Sequence, residues 1–321
     1  MNLAKLYASM LLTVLVVTTI STIVLYFILT LFTATPFEIV LFIVIAAYIL
    51  QWLFAPYFIE AIYRVEPLRD PAYSNLIKGF NEIVKKNGIT PPKLMVANID
   101  IPNAFAYGSP LTGYKIAVTR GLLRSLPEDE VMAVLGHEIG HIKHRDTIVI
   151  MAVGLIPAII LWLGEYLVRW GWLFGYYRAR REESLAPYAL LGLGVLFLII
   201  GFLLNLGILY LSRLREYYAD AHSATIIPNG ARLLQRALAR IMVNSGWLRK
   251  IGYNLGKYNQ LKMLFISSPD HVIMARYQDI DYIIENIKRQ KVSILAELFS
   301  THPHPAKRLR FLDQFIKRES Y

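Results

Sequence analysis

The sequence predicts a mainly α-helical membrane protein: about four transmembrane helices and an α+β domain with a small β-sheet on the cytoplasmic side. Three observations predict it. The 321-residue chain is 55% hydrophobic with a mean hydropathy of +0.43, too apolar for an ordinary soluble domain of this length. Its charges are clustered, with none in residues 6–37 and none in residues 39–54. Between the apolar runs lies a polar region whose pattern passes from helix to short strands and back to helix.

The apolar runs come in order. About Met10 to Phe32 is long enough to cross a bilayer, which needs ~20 apolar residues. Pro36 to Phe54 is at the short end. Thr147 to Leu163 follows the polar region, and Tyr188 to Leu211 is the clearest of the four. Four spans place both termini on one side. The resulting division is a double anchor over 1–55, a first part of the polar domain over 56–146, two membrane segments over 147–211, and a second part over 212–321.

Orientation follows from the basic residues. The turn Thr33 to Glu38 has no Lys or Arg, whereas residues 55–146 have 11. The positive-inside rule then puts the large region in the cytoplasm of a multi-pass plasma-membrane protein. The loop Gly164 to Pro187 opposes this, because it carries Arg169, Arg178, Arg180 and Arg181. A re-entrant hairpin for the third and fourth segments stays open on that account. Trp170 and Trp172 read as interfacial aromatics.

Formal net charge is +11, and residues 212–321 hold 18 Lys/Arg against 9 Asp/Glu. Such a basic surface suits anionic lipid headgroups. No nucleic-acid module accompanies it, so a nucleic-acid partner is not expected. The absence of cysteine excludes disulfides, thiolate nucleophiles and Cys-ligated metal.

Within the polar region, residues 66–90 read as a helix ending at Asn87-Gly88 before Pro91-Pro92. Strands are expected at Lys93 to Asn98, Ala104 to Tyr107 and Lys115 to Thr119. A helix starts near Ser125-Leu126-Pro127-Glu128, with Ser125 and Glu128 spaced as a capping box, and nothing breaks it before Gly154. The fourth apolar run continues as helix towards His222. Residues 229–321 read as basic amphipathic helices.

The chemistry centres on His137-Glu138-Ile139-Gly140-His141. Residues four apart share a helix face, so two imidazoles can grip one ion while Glu138 reaches its water. Gly136 and Gly140 allow close backbone packing. A catalytic zinc wants three protein ligands and an open position. Glu216 and Asp220, again four apart, offer a third ligand and a carboxylate to accept the second N–H of a ligating histidine. His141 lies six residues before Thr147 and Glu216 five after Leu211. Along helices these offsets are about 9 Å and about 7.5 Å. An antiparallel hairpin would therefore bring both ligand sets to one height. The pattern points to hydrolysis by zinc-activated water with Glu138 as general base. His302, His304, Tyr217, Tyr218 and Arg308 are open candidates for an oxyanion donor.

Several ordered motifs resemble those of the HtpX-type membrane zinc metalloproteases, relatives of the Ste-type CAAX proteases. They are Asn103-Ala104-Phe105-Ala106, Val118 to Leu123 (VTRGLL), Asp129 to Asp146 (DEVMAVLGHEIGHIKHRD), Arg213 to Asp220 (RLREYYAD), and Ser300 to Pro305 with Arg308. The resemblance implies a gluzincin-like domain with one zinc ion on His137, His141 and Glu216, and Glu138 catalytic. It implies quality control of misfolded or damaged membrane proteins. It also implies that Asn103, Ala104 and the strand near Ile116 border a cleft where an extended substrate adds as a strand. Residues 244–295 match no motif of the family.

His144 reads as a surface residue, His222 and His271 as structural, and Asn205 as an inter-helix hydrogen-bonding group. Arg308 reads first as an anchor for the C-terminal helix. Two other readings compete. An intramembrane protease would bury its HExxH in an apolar span, whereas charges bracket this one. A non-catalytic zinc scaffold would have no use for Glu138.

Overall fold

A computed structural model describes residues 36–178, 185–250 and 279–319, with isolated positions at 16, 17, 20, 23 and 24. Most of the expected first span, all of 251–278 with His271, and residues 179–184 of the expected loop lie outside the described residues. The chain divides into two compact units, one of Met1–Tyr7, Gln51–Thr147 and Ser212–Tyr321, the other of Ala8–Leu50 and Ile148–Leu211.

Helix α1 (Pro36–Tyr63) leads into strand β1 (Val65–Pro67) and a short 3-10 turn at Pro71–Tyr73 capped by Asp70. Helix α2 occupies Ser74–Lys86. The expected helix over 66–90 is thus shorter at its start. Pro67 and Asp70-Pro71 interrupt it, because proline removes a donor and turns the chain. It ends as expected, with Gly88 at φ +63°.

Strands β2 (Lys93–Ala97), β3 (Ala104–Ser109) and β4 (Gly113–Thr119) fall where alternation and turn residues placed them. The sheet order is β1-β2-β4-β3, with β2 and β4 parallel and the other pairs antiparallel. Thr119 N–H donates to Asn103 O at 2.9 Å, so in the antiparallel ladder the odd-numbered residues of β3 bond to β4. Ala104, Ala106 and Gly108 turn their backbone groups away from β4. One face of the sheet packs Met95, Ala97, Phe105 and Tyr107 against Ile59 and Tyr63 of α1. Glu60 binds the hydroxyl of Tyr107 (3.1 Å) and the ammonium of Lys115 (2.5 Å) there.

Helix α3 (Arg120–Ser125) is capped by the Thr119 hydroxyl, which accepts from Leu122 N–H. Ser125 ends this helix instead of starting the next one. Helix α4 (Glu128–Lys143) has Pro127 at its N-cap with no side-chain cap. The capping box is therefore absent: proline fixes the entry backbone, and the acidic first turn meets the helix dipole. The helix does not run to Gly154 either. It stops at Lys143, Arg145 adopts φ +53°, and helix α5 (Asp146–Arg178) begins anew.

Helix α6 (Ala186–Ile226) continues without a break through the fourth apolar run to the expected ligands. In the apolar unit, α5 and α6 form an antiparallel pair in close contact. A Cβ on Gly164 would lie 2.9 Å from Leu198 N, and one on Gly194 would lie 2.7 Å from Val168 N. Small residues give such helices their van der Waals contact where lipid supplies no hydrophobic drive. Val153, Ile160, Leu163, Phe197, Leu204 and Leu211 fill the seam, while Val195, Leu196, Ile199 and Leu203 face outward. Among the described residues, two helices are long and apolar enough to cross a membrane, within Asp146–Gly175 and Ala186–Ile226.

The C-terminal helices are α7 (Gly230–Lys250), α8 (Ile280–Arg289), α9 (Ile294–Leu298) and α10 (Pro305–Glu319). Buried Glu130 of α4 receives Arg236 and Arg240 of α7 at 3.3 and 2.8 Å, and Arg236 also reaches Asp281 of α8.

Candidate metal centre

Helix α4 presents His137 and His141 on one face, as the i, i+4 spacing requires. Helix α6 meets it at close range. A Cβ on Gly140 would fall 3.1 Å from Ala219 Cα, and one on Gly136 2.8 Å from Ile227 Cγ1. Ser223 Oγ donates to Ala133 O at 2.6 Å across the same contact. The two glycines thus let the helices approach until Glu216 faces both imidazoles.

The three side chains each turn one donor atom into a cluster within 4.8 Å. His137 Nε2 and His141 Nε2 are 3.0 Å apart, and Glu216 oxygens lie 3.7 and 3.5 Å from them respectively. Tetrahedral bonds of about 2.0–2.1 Å put ligand atoms about 3.3 Å apart. Two nitrogens and a carboxylate at these separations therefore fit a zinc ion, while Glu216 Oε2 also lies 3.2 Å from Arg308 Nη1.

The far nitrogens of both imidazoles face carboxylates. His137 Nδ1 lies 3.0 Å from Asp220 Oδ1, the partner expected from spacing. His141 Nδ1 lies 2.6 Å from Asp146 Oδ2, a partner the sequence reading missed. The helix break at Arg145 makes that contact possible. Arg215 pairs with the other oxygen of Asp146 and donates to His144 O at 2.6 Å.

Glu138 is 3% exposed and takes a hydrogen bond from the backbone N–H of Ala106. Burial pushes its carboxyl pKa up, against the pull of His141 and His137. Burial would raise Glu216 too, but the charges of His302 and Arg308 outweigh it and hold that carboxyl well below the usual range. Asp220 is lowered in the same way by Arg308 and His137.

The other expected residues separate into groups. His302 reaches the site, with Nδ1 3.3 Å from Glu216 Oε1. Its strap is tied by Ser300 Oγ to His302 O (2.7 Å) and by Arg213 Nη1 to Ser300 O (2.7 Å). Arg308 anchors α10, as expected, by pairing with Asp220 and Glu216 of α6. Tyr217 instead packs on Phe311, ring centroids 5.1 Å apart, and His304 Nδ1 accepts from Ala306 N–H at the start of α10. Tyr218 lies against His144, centroids 4.0 Å apart. His144 is thereby half-buried, not a surface residue, and burial lowers its pKa to about 4. Asn103 and Ala104 are buried, Asn103 with its N–H on Thr119 Oγ1 at 2.9 Å.

The profile of peptidase family M48 matches residues 73–316. A protease HtpX homolog of Aeropyrum pernix is 44% identical over 276 residues, covering 85% of each chain. One of Thermoplasma volcanium is 41% identical, over 83% of this chain and 79% of its own. Among solved structures, Ste24p of S. mikatae aligns with 97% of this chain and 67% of its own, at a TM-score of 0.53 and 21% identity. That last likeness concerns the fold.

Proposed function

The chain belongs to peptidase family M48, a family of metalloproteases, and from that premise we propose that it is a zinc-dependent endopeptidase cleaving misfolded or damaged membrane proteins at the cytoplasmic face of the plasma membrane. The observation that carries this reading is the convergence of His137, His141 and Glu216 donor atoms within 4.8 Å, with buried Glu138 beside them.

In this reading His137, His141 and Glu216 hold the ion. Zinc bound there supplies a Lewis acid for the scissile carbonyl and draws the pKa of its water towards ~7. Glu138 takes the proton of the attacking water and later delivers it to the departing amine. Its burial suits the task, because a raised carboxyl pKa brings base and operating pH closer together. Asp220 fixes the tautomer of His137 so that Nε2 carries the lone pair. Of the candidates for an oxyanion donor, His302 and Arg308 reach Glu216, and His302 is the one taken in this reading.

The side of β3 away from β4 supports an extended substrate. The Ala106 carbonyl and the Gly108 backbone can pair with a peptide, while the Ala106 N–H is already donated to Glu138. Recognition through main chain gives broad sequence preference. The two apolar helices support a membrane setting. Four spans and a cytoplasmic domain remain the topology proposed from the charge distribution.

The test is metal analysis of the purified full chain beside Glu216→Ala, with cleavage of casein as readout. We expect about one zinc per chain and chelator-sensitive cleavage in the wild type, with both lost in the variant. A variant that keeps zinc and activity overturns the ligand set.

A further inference from the structure

Each imidazole of the centre is backed by a carboxylate, and each carboxylate by an arginine. His137 faces Asp220, which Arg308 grips. His141 faces Asp146, which Arg215 grips. The first relay was foreseen from the i, i+4 spacing of Glu216 and Asp220. The second is built from residues on either side of a helix break and from a different helix altogether.

We propose that Asp146, held by Arg215, is the positioning residue for His141 and sets the zinc affinity of the centre. This rests on the zinc reading given above.

The arrangement favours that role over plain structural pairing. Asp146 is 7% exposed and spends its oxygens separately, Oδ2 on His141 Nδ1 at 2.6 Å and Oδ1 on Arg215. An acceptor on Nδ1 places the proton there and leaves Nε2 free to bind metal. The positive φ of Arg145 turns the chain back so that a residue five beyond His141 meets its ring, which no continuous helix allows. Arg215 immediately precedes Glu216, so one side chain ties the end of α4, through His144 O, to the helix that brings the third ligand. Misplacing Arg215 thus disturbs both ligand sets together.

The experiment measures the zinc dissociation constant of the full chain in detergent, by competition with a chromophoric chelator. Asp146→Ala should weaken zinc binding ~10–100-fold, the usual cost of losing such a partner. Asp146→Asn keeps an acceptor oxygen and the side-chain shape, and should fall in between, about 3–10-fold weaker on the same scale. Glu130→Gln serves as the control, since it breaks another buried ion-pair cluster on α4 without touching a ligand; its zinc affinity should stay within about twofold of wild type. The inference is overturned if Asp146→Ala and Asp146→Asn both bind zinc like the wild type, or if Glu130→Gln weakens binding as much as Asp146→Ala. A wild type that binds no zinc overturns the centre itself and this inference with it.

Discussion

Arg308 holds Asp220 through two hydrogen bonds in a site closed to solvent, Nε to Oδ2 at 2.8 Å and Nη2 to Oδ1 at 2.5 Å. Both side chains are 1% exposed or less. Removing one partner of such a pair leaves a buried charge without compensation, at a cost of about 3–5 kcal/mol. Arg308→Met should therefore lower the thermal midpoint markedly, and Arg308→Lys should recover only part of it because ammonium has no planar fork. Differential scanning fluorimetry of both variants checks this.

Glu138→Gln keeps the shape of the side chain and removes the base. Proteolysis should fall by ~10²–10⁴-fold, while zinc content stays at the wild-type level. Cleavage of casein at the wild-type rate by this variant would exclude Glu138 as the base.

Gly140→Ala tests the close contact of α4 and α6. The added methyl meets Ala219 Cα and His222 Cβ, both at 3.1 Å, and one of these is backbone. Overpacking costs about 1–3 kcal/mol, against which better helix propensity returns about 1 kcal/mol. The net expectation is a lower midpoint together with weaker zinc binding, because the contact positions Glu216. A midpoint above wild type would mean that the helices have room to part.

Acid should destabilise the domain through two histidines outside the ligand set. Burial lowers the pKa of His144 and His222 from 6.5 to about 4, with Arg215 and Lys143 as the leading charges that add to it. Between those limits the unfolded chain binds more protons than the folded one, so stability rises with pH there. It is lost as pH falls from about 6.5 and levels off below about 4. Chemical denaturation of the metal-free protein at several pH values should show this slope, and His144→Gln/His222→Gln should flatten it. An unchanged slope in the double variant would remove these residues from the account.

Removal of the metal by a chelator should abolish cleavage, and added zinc should restore it. Restoration by magnesium but not zinc would contradict a centre of two imidazoles and a carboxylate.

Local patterns made much of this legible. The strands announced themselves by alternation and turn residues, and the two i, i+4 pairs declared one helix face each. What stayed hidden depended on backbone events or on contacts far apart in sequence. A left-handed Arg145 carries no residue-type signal, so nothing local pairs Asp146 with His141. Ser125 and Glu128 have capping-box spacing, yet Thr119 had already opened a separate short helix, and Pro127 took the cap position. His144 was read as exposed because nothing local shows that Tyr218, 74 positions later in the same numbering, covers its ring. Tyr217 looked as available as His302 until α10 placed Phe311 against it.

Helix α6 carries Glu216 beyond Leu211, the last seam residue of the α5–α6 pair. In the proposed ligand set, His137, His141 and Glu138 are therefore synthesised before Glu216, with His302 and Arg308 later still. Under the proposed ligand set, the centre can close only after the apolar part of that helix pair has been synthesised.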